Sequence, residues 1–360
     1  MAITLPPKND ADAPDIVGES QEGNSMPGAT GHPIRILGTV LPRIRLTSFH
    51  KLVLGLGGVG LVTLVSVLAW GSNFDFPSDV GRDIGSKIDD AVTWLTKEGD
   101  WLFDGIKQII LKVLLNLRDA MLWFPWPAMI TAISLLAWRL AGPRVFLFSI
   151  GALLSIGFVG LWSSAMETLA LVTTSVVLAV AIGVPLGVLG ARSALADALM
   201  RPALDTMQTM PSFVYLVPAI MFFSLGNVPA VMATIIYAVP PAIRLTSLGI
   251  RQVSPETLEA ARSFGATPTQ LLIRVQLPMA LPTIMAGINQ TTMMALAMVV
   301  VGALVGAGGL GEDVLRALGR LEPGKALLAG MAIVLMAIII DRLTQALAKG
   351  QQQALESRNN

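Results

Sequence analysis

Cysteine is absent from this 360-residue chain, and histidine occurs only twice. Without cysteine there is no disulfide, no thiolate nucleophile and no cysteine-ligated metal. His32 and His50 stand apart in the N-terminal region, which also excludes a histidine-rich metal centre. Charge is the next scarcity: Asp, Glu, Lys and Arg make up 14% of the residues, against a soluble norm of roughly 25%. A soluble core of this size would lack the charged shell it needs. The net charge of +1 sets up no global basic field, and no Lys/Arg stripe marks a nucleic-acid surface. Residues 1–33 are acidic and rich in Pro, Gly and Asn, where a Sec-type signal would place an apolar stretch. They read as a disordered cytosolic tail.

What the chain does have is apolar surface. Hydrophobic residues make up 53% of it before its 34 glycines are added, whereas soluble domains reach only about 45–50% with glycine included. The composition is that of an integral membrane protein. The run Leu52–Trp70 carries no charge and would make about 28 Å of helix, close to the ~30 Å hydrocarbon thickness. Further spans are expected at 121–140, 144–162, 165–190, 213–225, 228–249, 282–306 and 326–341, giving about eight in an all-α membrane fold. The 213–225 run is short and should recruit part of the preceding LDTMQTMPS stretch as a broken helix. Gly55, Gly57 and Gly60 satisfy G-x-G-x-x-G, but inside an apolar helix they read as a packing face and not as a phosphate cradle.

The segments then order themselves. Residues 1–50 form the cytosolic tail, 51–70 the first span, and 71–120 an external segment with an amphipathic helix. Residues 121–164 hold two accessory spans, 165–345 the core, and 346–360 a cytosolic C-terminal tail. In 71–120, Asp104, Lys107, Gln108, Lys112 and Arg118/Asp119 fall at helical spacing, a polar series interrupted at Leu115, with Ile106, Ile109, Ile110, Val113, Leu114 and Leu117 on the intervening face. That pattern suits a helix lying on the membrane surface or packed across the other spans; a ninth span is the second reading. The larger share of Lys and Arg falls on one side of this layout, which puts both termini and residues 250–281 in the cytosol.

Residues 250–281 are the chemically explicit part. Ser254 is placed to cap a helix that begins at Pro255, with Glu256 in its first turn, and Gly265 is placed to end it. Thr267, Pro268 and Gln270 have the spacing of a capping box that opens a second helix, and Pro278 and Pro282 fence the loop from the next span. An ordinary connection between spans needs only a few polar residues. A helix–turn–helix here suits docking: Ala260 and Ala261 allow close approach, Glu259 supplies a charge, and Arg262 and Arg274 offer guanidinium forks. A surface helix solvated by its own charges is the plainer reading.

This loop resembles the EAA coupling motif of ABC importer permeases, carried by Glu259-Ala260-Ala261, Gly265 and Val275-Gln276-Leu277-Pro278 with no departure in spacing. The stretches QTMPSFVYLVP (208–218), AVPPAIR (238–244) and GAGGLGEDVL (306–315) resemble the glycine betaine/proline/choline branch of that family. The resemblance covers about 165–345. It implies a type I importer (MetI-like) transmembrane fold and a homodimer of permeases. Two separate ABC ATPase subunits would bind ATP and Mg, and an extracytoplasmic solute-binding protein would deliver a small osmolyte. The chain has no G-x-x-x-x-G-K-[ST] loop and no long soluble stretch after its last span, so the resemblance implies a cofactor-free pore subunit in the bacterial inner membrane, not an enzyme. Glu259, Ala260, Ala261, Arg262, Gly265, Arg274, Leu277 and Pro278 are the residues it assigns to ATPase coupling.

Other candidates follow from chemistry. Gln208, Thr209, Pro211, Ser212, Pro218, Ser224, Asn227, Pro240 and Pro241 can shape a gate or pathway, because proline frees carbonyls that a wet cavity can satisfy; they serve equally well as helix kinks. Phe213, Tyr215, Phe222, Phe223, Tyr237 and Trp162 are aromatic faces available to a quaternary ammonium, or simply packing. Glu167, Gly306, Gly308, Gly309 and Gly311 are candidates for the outer face, as solute or binding-protein contacts, or as a boundary charge and a plain turn. Two other functions compete with ATP-driven import. A secondary transporter or channel would place ionisable residues in the spans, which are nearly empty of them. A membrane scaffold or sensor would use the 250–281 loop and move nothing.

Overall fold

The computed structural model describes residues 48–70 and 79–359, all helical apart from short turns. The chain divides at Ser78 into two units. The first contributes α1 (Ser48–Trp70), which is helical through Gly55, Gly57 and Gly60, so the strand–turn geometry of a phosphate cradle is not formed there. The expected N-terminal tail lies almost wholly outside the described residues.

The second unit begins with α2 (Asp79–Glu98) and α3 (Asp100–Trp123). From Asp79 on, the expected external segment is two helices. Of the apolar face expected on α3, Ile110 and Leu114 are buried against the core while Ile109 and Val113 are exposed. The Phe103 ring stacks on Phe222 at 4.7 Å and meets Phe223 edge-on. α3 thus packs across the core helices. After it, α4 (Trp126–Ala141) and α5 (Pro143–Phe158) form a hairpin turned at Gly142.

Three helices make the centre: α6 (Trp162–Arg192), α9 (Asn227–Arg251) and α12 (Leu277–Ala303). α9 is the axis, with 72% of its apolar window buried against 39% for α6 and 28% for the last helix. Small residues let the backbones approach. A Cβ on Gly187 of α6 would stand 2.5 Å from Thr246 Cβ and 2.7 Å from the Ile243 carbonyl. A Cβ on Gly287 of α12 would stand 3.1 Å from the Pro241 carbonyl. Dispersion between such close helices replaces the hydrophobic drive that lipid cannot supply.

Between α6 and α9 the chain runs through α7 (Ala194–Thr209), a 3₁₀ turn (Ser212–Tyr215) and α8 (Leu216–Phe223). α7 and the following arm meet at 113°. The bend sits at Met210–Pro211, as expected of a helix interrupted by proline, since the residue before proline is driven out of the helical region.

After α9 come α10 (Pro255–Ser263) and α11 (Pro268–Gln270). α11 passes through a π-helical turn, Leu271–Gln276, directly into α12. The expected fence at Pro278 and Pro282 is therefore not there: Pro268–Ala303 is one helix of 36 residues. Pro278 lacks the amide that would bond the carbonyl of Arg274, and the wider turn just before it lets the helix absorb that loss. The chain ends with α13 (Leu310–Gly319) and α14 (Pro323–Asn359). The C-terminal segment is helical, continuing α14 to Asn359.

Among the described residues four helices are long and apolar enough to cross a membrane, or up to six crossings if each of two bent pairs counts as one. The expected eight is not reached on this measure. The runs at 121–140 and 213–225 are arms of helices bent by 106° and 113°, and the apolar stretches Leu52–Leu68 and Pro143–Phe158 are shorter than the rest.

Candidate functional site

The 250–281 loop is a rigid pair of helices with a buried base and a bare tip. Ser254 accepts the Thr257 amide with its hydroxyl, satisfying one orphan donor of α10. At the other end the Gly265 amide donates to the Arg262 carbonyl (2.8 Å) and the Ala266 amide to that of Ala261 (3.1 Å), a Schellman closure with Gly265 at φ +81°. Thr267 and Gln270 then satisfy each other's backbone in a complete capping box. Leu271 and Leu272 are buried, and Leu272 packs with Ile250, Ala280 and Ile284 at the base.

Glu259, Ala260, Arg262 and Gly265 are exposed and Ala261 is half-buried. Among the described residues Glu259, Arg262 and Arg274 make no ion pair. Arg274 is exposed on the π turn, and Leu277 and Pro278 are half-buried below it. Phe264, the helix cap beside Gly265, is 93% exposed. Sequence reading passed over it, because a phenylalanine among polar residues carries no periodic signal. A bulky apolar ring exposed at the end of a capped helix is available for contact with another surface.

Just before this loop, charges tie α7 to the end of α9. Arg251 donates to both oxygens of Asp197 (3.0 and 2.7 Å) and to Ser247 Oγ (2.5 Å). Arg201 reaches Asp197 at 2.5 Å, and Arg244 reaches Asp205 at 2.5 Å. Hydrogen bonds from Arg251, then from Arg201, hold the Asp197 carboxyl down from 3.8 to about 2 against its partial burial. A carboxyl whose folded pKa is depressed loses its pairing only as pH falls through the lowered value, so these contacts persist across ordinary pH.

At the opposite end of the core, three chain segments meet. The Gly226 amide donates to the Val305 carbonyl (2.7 Å), the Gly308 amide to Asn227 Oδ1 (3.0 Å), and the Leu310 amide to Thr168 Oγ1 (2.8 Å). The Glu167 carboxylate lies over Gly308, where a Cβ would stand 2.5 Å from Oε1, and its ionic partner is Arg118 at 4.0 Å. Gly311 faces the Val299 carbonyl, and Gly306 adjoins Gly226. Ser224, at φ +62° and ψ −164°, occupies a region that glycine favours. Glu167 and the four glycines are thus brought together in one clamped loop.

The pathway candidates are not gathered in the same way. Gln208 and Pro218 are exposed, Pro211 makes the bend, Phe213 is exposed, and Asn227 is occupied by Gly308. Pro240 and Pro241 are buried inside α9. Tyr215 donates its hydroxyl to the Met207 carbonyl (2.5 Å) and lies 6.1 Å, ring to ring, from Tyr237; these are the chain's two tyrosines. The aromatic faces do not converge on one cage. Phe222 and Phe223 are taken up by Phe103, and Trp162 lines an apolar cavity of about 240 Å³ with Trp126 and Phe158. Among the described residues no His, Asp and Glu cluster is placed to hold a metal.

Residues 183–353 match the family described as binding-protein-dependent transport system inner membrane component. The glycine betaine/proline betaine transport system permease protein of Escherichia coli (strain K12) is 48% identical over 264 residues, covering 71% of this chain and 75% of that protein. The glycine betaine/carnitine transport permease protein of Listeria monocytogenes serotype 1/2a is 46% identical over 267 residues, covering 71% and 95%. A solved methionine ABC transporter in an inward-facing conformation aligns over 53% of this chain and 95% of its own at 26% identity, with a TM-score of 0.49.

Proposed function

This chain belongs to the binding-protein-dependent permeases of ABC importers, and from that premise we propose that it forms the translocation path for a quaternary-amine osmolyte of the betaine type. The observation that carries this reading is the 250–281 loop. Its base is locked between the two most intimately packed spans, α9 and α12, and its tip offers Glu259, Ala260, Arg262 and Phe264 to a partner. The partner is a separate ATPase subunit that binds ATP and Mg. Two permeases and two ATPases make the working complex, since one chain supplies one such loop. The clamped outer loop is where a loaded binding protein docks, and both termini lie in the cytosol.

The substrate class rests on the relatives, whose names specify glycine betaine, proline betaine and carnitine. These solutes share a permanent cation and a carboxylate in one net-neutral molecule. A pathway poor in ionisable groups suits such a solute, because it need not compensate a net charge crossing the bilayer.

The test is uptake into proteoliposomes holding this chain, its ATPase and its binding protein, with labelled glycine betaine, carnitine, choline and proline, with and without ATP. Uptake that needs no ATPase would make it a secondary transporter or channel; ATPase binding without any uptake would make it a scaffold. Orientation is read separately. A Ser263→Cys variant of this cysteine-free chain should react with an impermeant thiol reagent only from the cytosolic side, and labelling from outside alone would overturn the docking assignment. Phe264→Ala should weaken ATPase association by at least about tenfold, the scale of a buried aromatic anchor, with unchanged membrane insertion. Titration of purified ATPase against the permease in nanodiscs reads this directly, and unchanged affinity would remove Phe264 from the contact.

A further inference from the structure

Between the coupling loop and the bent segment ahead of α9 lies α7, and the geometry points to this helix as a strut whose joint is the Asp197–Arg251 pair. Arg251 is the last residue of α9, three positions before Ser254 caps α10, so whatever displaces the loop displaces Arg251 with it. Its guanidinium holds Asp197 through two parallel hydrogen bonds and donates a third to Ser247 Oγ. Exposed ion pairs hold little. This one is different: the Asp197 side chain is only 15% exposed and the arginine contact is bidentate, which fixes direction as well as distance.

A second pair, Arg244–Asp205, joins the same two helices about two turns further along. Residue 197 meets 251 and residue 205 meets 244, so α7 and α9 run antiparallel with an ionic contact at each end of the overlap. Beside those contacts an open pocket of about 530 Å³ runs along Met200, Leu204, Ile243 and Ser247. Leu204 and Ile243 are themselves buried in the core and Met200 packs against it, so apolar packing also joins the two helices there. The Asp197–Arg251 contact adds to that packing a link of fixed direction.

The far end of α7 is fixed as well. Across the 113° bend the Tyr215 hydroxyl donates to the Met207 carbonyl, and Leu204 is buried. A push on the loop therefore reaches the 212–223 arm by a second route, through Arg251, Asp197, Met207 and Tyr215, in parallel with the direct route along α9. Asp197 and Arg251 are positioning residues on this account and touch no solute. The inference rests on the importer reading given above, and it goes further by naming how ATPase motion reaches the broken helix.

The experiment uses the full-length permease with its ATPase and loaded binding protein in proteoliposomes, with glycine betaine as probe. Asp197→Asn should keep ATPase association within about twofold and lower solute imported per ATP hydrolysed by about tenfold or more, the usual range of a coupling term. Asp197→Cys combined with Arg251→Cys should fail similarly. Bridging the two thiols, the only ones in the chain, with a bifunctional thiosulfonate of arginine length should restore that ratio to within about threefold of the unsubstituted complex. Wild-type import per ATP in Asp197→Asn would overturn the strut. So would a bridged double variant that stays uncoupled, because a joint that only has to hold should work when held covalently. Failure of the unsubstituted complex to import at all would instead overturn the importer reading beneath it.

Discussion

Gly265→Pro is expected to abolish ATP-driven uptake while leaving the spans inserted. The native residue sits at φ +81° and donates its amide to Arg262, with the Ala266 amide closing on Ala261 beside it. Proline is held near φ ≈ −65° and has no amide, so it loses both the conformation and the bond. The chain leaving α10 would then take another direction, and the capping box at Thr267 would open away from α10. Gly265→Ala can adopt the left-handed turn at a cost of about 1–2 kcal/mol, so a partial defect is expected. Glu259→Arg reverses the exposed charge beside Ala260 and should also impair coupling. The measurement is solute-stimulated ATP hydrolysis and uptake at matched permease amounts, with the solute affinity of the isolated binding protein as an unaffected control. Wild-type hydrolysis, ATPase binding and uptake in both Gly265→Pro and Glu259→Arg would end the coupling assignment.

The second large effect is expected at the other end of the core. Gly309 combines φ +91° with ψ −162°, a region essentially reserved for glycine, and a Cβ there would stand 2.4 Å from Thr168 Oγ1. That hydroxyl accepts the Leu310 amide, so a side chain at 309 strikes the bond that seats α13 on α6. Gly309→Val should therefore unseat the whole 304–309 loop, at a backbone cost of about 1–3 kcal/mol before the clash is added. Uptake should fall to background and binding of the loaded binding protein to the permease should be lost, while ATPase association survives. Gly319→Ala is the control, because nothing lies within 4 Å of a Cβ at that position. Normal import by Gly309→Val would show that the clamped loop is dispensable.

The parts legible in the sequence are those governed by neighbours within a few residues. Ser254, Pro255, Gly265, Thr267 and Gln270 each act on backbone groups no more than three residues away, so their types and spacing already specify two capped helices and the turn between them. Long apolar runs likewise announce α6, α9 and the body of α12. What was hidden depends on distant partners. Arg251 and Asp197 are separated by 54 positions, and no local pattern pairs them. Phe222 and Phe223 are attractive as a cation-binding face until Phe103 is seen stacked against them. Glu167 reads as a boundary charge until Gly308 is found beneath it. Pro278 reads as a helix terminator because the rule for proline assumes an α-helical turn before it. The π turn suspends that assumption.

That turn has a geometric consequence of its own. Since Pro268–Ala303 is unbroken, the tip loop and the glycine clamp sit at the two ends of one lever roughly 50 Å long at about 1.5 Å per residue. One degree of tilt at the inner end sweeps the outer end by about 1 Å, so modest rocking suffices to open or close a contact there. The turn also sets the azimuth of the lever's handle. A residue gained or lost within Leu271–Gln276 would rotate α11 and the tip by about 100° around the shaft while leaving the shaft's own seating on α9 untouched.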